Sequence, residues 1–338
     1  MTLIKKKKII YPVSEPLRKF LIEYKKEIDI PVSYSDLKRY NSSINLYDKR
    51  GDDTLWLTVF YAAEDMREIY DGLKKIYAML KADGDLSVME HLYIDRVDLC
   101  SYGNTQPFRV RIVNQINDNF DYFYIKQADA SRVYGLELED MISPNRINYL
   151  VHEQTLIEEH IAGIPGYQFI NDHLNAPELN KIRLAKEFVK FNERCFVRLL
   201  GDMHSNNFVI DITPDFEEVH YRIRAIDFDQ QSFEGRRVVY MPQYFKENNP
   251  IIKLGIDMMT PETVQQYQKE ERSLMAQRVK ASLRSVKDLL KAMRKEPIAP
   301  KSNVVSLREE LASFYKDDRF LKARNMGSIL QASLEMLF

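Results

Sequence analysis

The stretch from Leu200 to Gln230, LGDMHSNNFVIDITPDFEEVHYRIRAIDFDQ, sets the tightest limit on what this chain can be. It reads as a loop, a strand, a turn and a second strand. Phe208 to Ile212 is an apolar run of strand length, and Thr213-Pro214-Asp215 is a polar turn. Val219 to Ile226 returns, with Arg222 and Arg224 projecting to one face between apolar neighbours. A hairpin brings its two ends together, so Asp202 and Asn207 at one end converge with Asp227 at the other. Two carboxylates and an amide oxygen then face one point. Magnesium and other hard cations take oxygen ligands of this kind and complete their shell with water and phosphate. The plain alternative is a polar turn joining two core strands. Two polar motifs at the separation a hairpin requires argue against it.

These residues carry a resemblance. Gly201-Asp202-Met203-His204-Ser205-Asn206-Asn207, followed by Ile226-Asp227-Phe228-Asp229, resembles the catalytic loop and metal-binding motif of the protein-kinase-like superfamily. The nearest branch is the small-molecule kinases of the aminoglycoside phosphotransferase and choline kinase type. The resemblance implies that Asp202 is the catalytic base, with Asn207 and Asp227 as magnesium ligands. Asp229 is an additional metal ligand or a support for one. Leu200 departs from the pattern, where a histidine often supports the loop. That change removes no catalytic group.

The chain has 338 residues, enough for one large two-lobed unit or two domains with a buried core. Its formal net charge is -1, so nothing global points to nucleic acid or to an anionic membrane. Two cysteines, Cys100 and Cys195, provide no disulfide framework and read as small buried hydrophobes. No apolar run reaches the length of a membrane span. The apolar run after Lys5–Lys8 is too short for a secretion signal. The expected location is therefore cytoplasmic, where ATP and magnesium are at hand. The Lys5–Lys8 run itself reads as a solvated tail.

Ahead of the hairpin, Ser14-Glu15-Pro16 starts a helix. Residues 54 to 61 read as a buried strand and residues 64 to 81 as an amphipathic helix. Three antiparallel strands follow, at about 91–100, 108–116 and 122–128. The first two are joined by Ser101-Tyr102-Gly103-Asn104-Thr105. In a kinase-like small lobe that connection covers the nucleotide phosphates, which makes Gly103 a candidate contact; as a plain hairpin turn it needs no function. Lys126, on the third strand, matches the family's phosphate-binding lysine, which needs a carboxylate partner. A helix is expected at about 146–162, and Glu153 on it is the candidate partner, with Glu158 and Glu159 as alternatives. An adenine-binding hinge is expected near 170–174. A long helix to about Arg198 then delivers the chain into Gly201-Asp202. After Asp229, the segment from Gln230 to Arg237 lies beside the metal site, where Arg236 and Arg237 would favour an anionic acceptor. The remainder is helical, with a break at Pro297–Pro300.

The expected fold is therefore α+β and two-lobed. Residues 1–87 form an N-terminal strand-helix extension, 88–172 a small antiparallel lobe, and 173–338 a helical large lobe. The expected activity is ATP- and magnesium-dependent transfer of a γ-phosphoryl group to a hydroxyl of a small molecule. The absence of an Ala-Pro-Glu element argues against an extended peptide platform. A pseudoenzyme serving as a nucleotide- or partner-binding module, a protein kinase, and a nucleotidyltransferase on the same fold are the alternatives.

Overall fold

The computed structural model describes residues 8–48, 50–82, 84–103, 105–214 and 219–338. They divide into two compact units. One holds the described residues up to Ala130 together with Ile147–His160; the other holds Ser131–Arg146 and Ile161–Phe338.

The first unit is built on a seven-stranded sheet. Helices α1 (Glu15–Glu23) and α2 (Tyr34–Leu37) precede β1 (Ser42–Tyr47), β2 (Asp53–Phe60) and α3 (Ala63–Lys81). Strands β3 (Leu92–Cys100), β4 (Phe108–Asn114), β5 (Phe120–Gln127), β6 (Tyr149–His152) and β7 (Thr155–Glu159) complete it. The strand order is β1-β2-β3-β4-β5-β7-β6, and every neighbouring pair is antiparallel. Alternation decides which face is which. On β4, Phe108, Val110 and Ile112 are buried while Arg109 and Arg111 are only half-buried. The apolar face joins α3 through Ile69, Leu73 and Ile76 in one core with Val97, Phe123 and Ile157. Each such fully buried side chain contributes roughly 1.5–3 kcal/mol.

The strand-helix pair of the first 87 residues belongs to this unit, because β2 pairs with β3 and extends the sheet. The boundaries thus differ from 1–87, 88–172 and 173–338: the chain leaves the sheet unit after Ala130, returns at Ile147 and leaves again after His160. Lys8 is a correction to the solvated tail. Its ammonium lies 2.5 Å from the buried Asp129 carboxylate. Lys5, Lys6 and Lys7 lie outside the described residues.

The second unit contains α4 (Ala130–Ile142, entering at Ser131), α5 (Gly166–Asp172) and α6 (Lys181–Arg198). It continues through α7 (Asn249–Met258), α8 (Pro261–Ala281), α9 (Leu283–Met293), α10 (Lys301–Tyr315) and α11 (Met326–Glu335). A small sheet of β8 (Ile164–Pro165), β9 (Phe208–Pro214) and β10 (Val219–Ala225) is set among them in the order β10-β9-β8. Helix α6 is the hub: it packs on α7, α8, α11 and β10. Asn180 caps its start by accepting the Arg183 amide, and Leu199, with φ of 57°, ends it in a left-handed turn.

The chain is α+β, with a sheet-built unit and a mostly helical one. Two expectations fail locally. The stretch 146–162 is not a helix but the β6–β7 hairpin, in whose strands every side chain but those of His152 and Glu159 is buried, so its sequence has neither a helical nor an alternating period. Residues 170–174, expected to hold the hinge, are the end of α5 and the turn after it. Both cysteines are free and buried, as expected. Among the described residues no helix is long and apolar enough to cross a membrane.

Candidate active site

Helix α6 stops at Leu199, and the next residues are fixed by the segment that follows β10. Leu200 is fully buried and bridges Gln231; the Gly201 amide donates to the Gln230 carbonyl at 3.2 Å. A methyl group on Gly201 would meet that same carbonyl at 3.2 Å, so the close approach favours glycine. Asp202 is held in the left-handed region, with φ of 62°, and its amide donates to the Val239 carbonyl at 3.0 Å. A non-glycine residue in that conformation is strained, and such strain persists where surroundings enforce it.

Asn207 ties the loop to the hairpin. Its Nδ2 donates to the Asp202 carbonyl at 2.8 Å, and its own carbonyl accepts the Ile226 amide at 3.0 Å. The β9–β10 register, Phe208 opposite Ala225, places Asn207 and Ile226 across from one another. Asp202, Asn207 and Asp227 are thus brought together as the sequence predicts. Because Nδ2 is the donor, the Asn207 amide oxygen takes no part in this tie.

The electrostatics are acidic. The Asp202 carboxyl is pushed up to about 7, first by burial and then by the charges of Asp227, Glu234, Glu247 and Asp229. A carboxylate near neutrality is matched to general-base work, and a cation at Asp227 would offset the second of these causes.

Asp227 and Asp229 have a partner that the sequence did not reveal. Arg132 of α4 donates from Nη1 to Asp227 Oδ1 at 2.7 Å and to Asp229 Oδ1 at 2.9 Å, and from Nη2 to the Ile226 carbonyl at 3.3 Å. Asp229, expected as a further metal ligand, therefore holds Arg132. The Asp227 side chain is 37% exposed and that of Asp229 11%. Among the described residues no cluster of three or more His, Cys, Asp or Glu side chains is arranged to hold a metal. The donor set still fits a hard cation, since Asp227 and the Asn207 amide offer oxygen and the surrounding charge is negative.

Asn248 is a second residue that the sequence did not reveal. Fully buried ahead of α7, it donates to the Met203 carbonyl at 2.9 Å and to the Pro242 carbonyl at 2.8 Å, bracing the loop from below. Neither residue announces itself. Arg132 lies in a stretch buried on nearly every side, with no one-faced period to mark it.

Arg237 corrects the anionic-acceptor expectation. Its guanidinium stacks on Phe314 at 4.4 Å and its amide donates to Glu310, so it is a packing element; Arg236 is exposed.

In the sheet unit, Lys126 is buried on the interior strand β5, and its ammonium donates to Glu158 on β7 at 2.7 Å. The expected partner Glu153 is a correction. It sits in the two-residue β6–β7 turn with φ of 50°, its amide donating to Glu27 and its carbonyl accepting from Arg18. Lys126 and Glu158 lie on the same face because strand pairing sets Lys126 opposite Leu156, two positions from Glu158. Gly103 lies in the β3–β4 turn, where an added methyl would meet Cys100 Sγ and Pro107 Cδ at 3.1 Å, so local packing accounts for it. Asn104 lies outside the described residues.

No protein-family model and no curated protein matches this chain. Solved structures that it is similar to include the autoinhibited serine kinase domain of the giant muscle protein titin, at 13% identity over 72% of this chain and 92% of that one, with a TM-score of 0.28. Another is titin kinase with its flanking domains, at 14% identity over 72% of this chain and 54% of that one, with a TM-score of 0.25. At these values the assignment rests on the residues themselves.

Proposed function

We propose that the chain is a phosphotransferase that moves the γ-phosphoryl group of ATP to a hydroxyl of a small molecule. The observation that carries this reading is the double tie of Asn207, to Asp202 through its side chain and to Ile226 through its backbone. It supports the reading by holding the loop that carries Asp202 against the strand end that leads into Asp227. In the step, the acceptor hydroxyl gives its proton to the Asp202 carboxylate while its oxygen bonds to the γ-phosphorus. The bond from that phosphorus to the bridging oxygen breaks, and ADP leaves. Asn207 and Asp227 are the residues that would hold magnesium, whose chemistry is to neutralise charge on the phosphate oxygens. Lys126, steadied by Glu158, is the candidate for positioning the phosphates.

A second reading has a specific observation in its favour. Arg132 already neutralises part of the Asp227 charge, as expected of a binding module that needs no cation.

The experiment is ATP binding with and without magnesium, followed by transfer of label to a metabolite extract from γ- and α-labelled ATP. The phosphotransferase reading expects tighter binding with magnesium, loss of most of that gain in Asp227→Ala, and γ-label in a small product. Equal binding with and without magnesium and no transfer would establish the binding module, and α-label in product would establish nucleotidyl transfer.

A further inference from the structure

We infer that the groove between α9 and α11 binds a single-chain anionic amphiphile, a long-chain carboxylate. The site lies in the helical unit and does not depend on the phosphotransferase reading.

Helix α9 separates two kinds of residue. Val286, Leu289, Leu290 and Met293 are buried, while Lys287, Lys291 and Arg294 at its end are exposed. Positions 287, 291 and 294 have the spacing that lines up along one side of a helix. The end of α9 meets the start of α11 closely. A methyl group on Gly327 would meet the Arg294 nitrogen and the Met293 carbonyl carbon at 2.8 Å. Asn325 Nδ2 donates to the Arg294 carbonyl at 2.7 Å. Beyond that crossing, toward Leu283 and Phe338, lies a cavity of about 430 Å³. Val279, Val286, Leu290 and Leu334 are its buried floor. Leu283 and Phe338 are exposed apolar walls, and Lys280 lies over the Phe338 ring at 5.2 Å. Small-molecule sites have volumes of roughly 300–1,000 Å³ and the same make-up, apolar with a few placed polar groups.

The charge on the rim selects the ligand. Lys287, Lys291 and Arg294 line the cavity and, among the described residues, form no ion pair. The rim carboxylates are engaged, Asp288 with Arg284 at 3.8 Å and Glu335 with Arg319 at 3.4 Å. Unpaired cations beside an apolar floor complement an anion joined to a hydrocarbon chain. Volume decides between a chain and a helix. One turn of α-helix with its side chains, about 10 Å across and about 5.4 Å long, already takes roughly 400 Å³. A docking helix would therefore seat a single turn, whereas an extended alkyl chain can lie in the cavity along its length.

The test displaces a fluorescent fatty acid from the full chain with straight-chain carboxylates from octanoate to tetradecanoate, held below micelle-forming concentration. Affinity is expected to rise about fourfold per added methylene and to level off where the cavity is full. Dodecylammonium and dodecanol, with the same chain and no negative charge, should bind roughly tenfold more weakly than dodecanoate. Lys287→Gln, Lys291→Gln and Arg294→Gln combined should weaken dodecanoate by roughly tenfold. These side chains are exposed, so the variant keeps its fold, which circular dichroism checks. Leu283→Gln, which wets one wall, should flatten the chain-length series. No displacement by any carboxylate overturns the inference. Equal affinity for dodecanoate and dodecylammonium, or undiminished affinity in the triple variant, overturns it too. An acidic helical peptide that displaces the probe where the carboxylates do not would assign the groove to a protein partner instead.

Discussion

In the sheet unit, Lys126 and Glu158 meet across neighbouring strands and their charges cancel. In the helical unit, Asp202 is surrounded by Asp227, Glu234, Glu247 and Asp229, each of which makes its ionisation harder. The first arrangement pairs opposite charges. The second is over-acidic and held together by backbone ties, a buried arginine and a strained loop. Stability given up at one point is the usual mark of a site shaped for a ligand.

The two centres should therefore respond to neutralisation with opposite sign. Glu158→Ala removes the carboxylate that lies 2.7 Å from the enclosed Lys126 ammonium and is expected to lower unfolding free energy by about 1.5–3 kcal/mol, measured by denaturant titration. A cost below about 1 kcal/mol would mean that the pair does not hold Lys126 in place.

Asp202→Asn should do the reverse. Phosphoryl transfer is expected to fall by about a hundredfold or more, with ATP binding retained and stability equal to or above the parent's. The sign with pH follows. Asp202 binds its proton more tightly folded than unfolded, so in chelator-treated protein its contribution to stability falls as pH rises from about 4, the ordinary carboxylate value, through about 7. The asparagine variant should lack that fall across the same window, and an identical pH profile in both proteins would place Asp202 outside the acidic group.

The smallest expected effect belongs to Glu153. Glu153→Gly relieves a left-handed φ at the cost of unfolded-state entropy, leaving stability within about 1 kcal/mol of the parent. ATP affinity and transfer should be unchanged. A tenfold loss of ATP affinity would restore Glu153 as the partner of Lys126 and erase the contrast between the two centres.

What the sequence made legible was what is close along the chain. The β9–β10 hairpin, with Asp202, Asn207 and Asp227 at its ends, is one continuous stretch, and its pairing follows from two apolar runs and a turn. Helix α3 and strand β4 carry clear periods for the same reason, since each has one wet face; β2, read as a buried strand, keeps only Val59 buried and exposes Leu55 and Phe60, because its apolar run does not say how much of the sheet is covered. Helix α4 was missed because it has none: of its residues, only Asp140 is not buried, and Arg132, Glu137 and Glu139 are polar where a core-facing pattern calls for apolar side chains. Glu158 was passed over for Glu153 because the choice depends on cross-strand register, which a helical assignment of 146–162 concealed. Arg132 was invisible because its partners lie 95 and 97 positions away.

That last separation has a consequence for synthesis. Arg132 leaves the ribosome well before Asp227, and at ~5–20 residues per second the wait is roughly 5–20 s. Meanwhile the sheet unit cannot close either. Its clamps run from Arg18 to Glu153 and from Tyr34 to Thr155, spanning 135 and 121 positions. The strands that finish it, β6 and β7, emerge only after α4. The nascent chain must therefore carry an unpacked helix, bearing a guanidinium and three carboxylates, while the first sheet assembles on both sides of it in sequence. Neither unit is a contiguous run of chain, so the two mature as interleaved parts of one folding event rather than in succession.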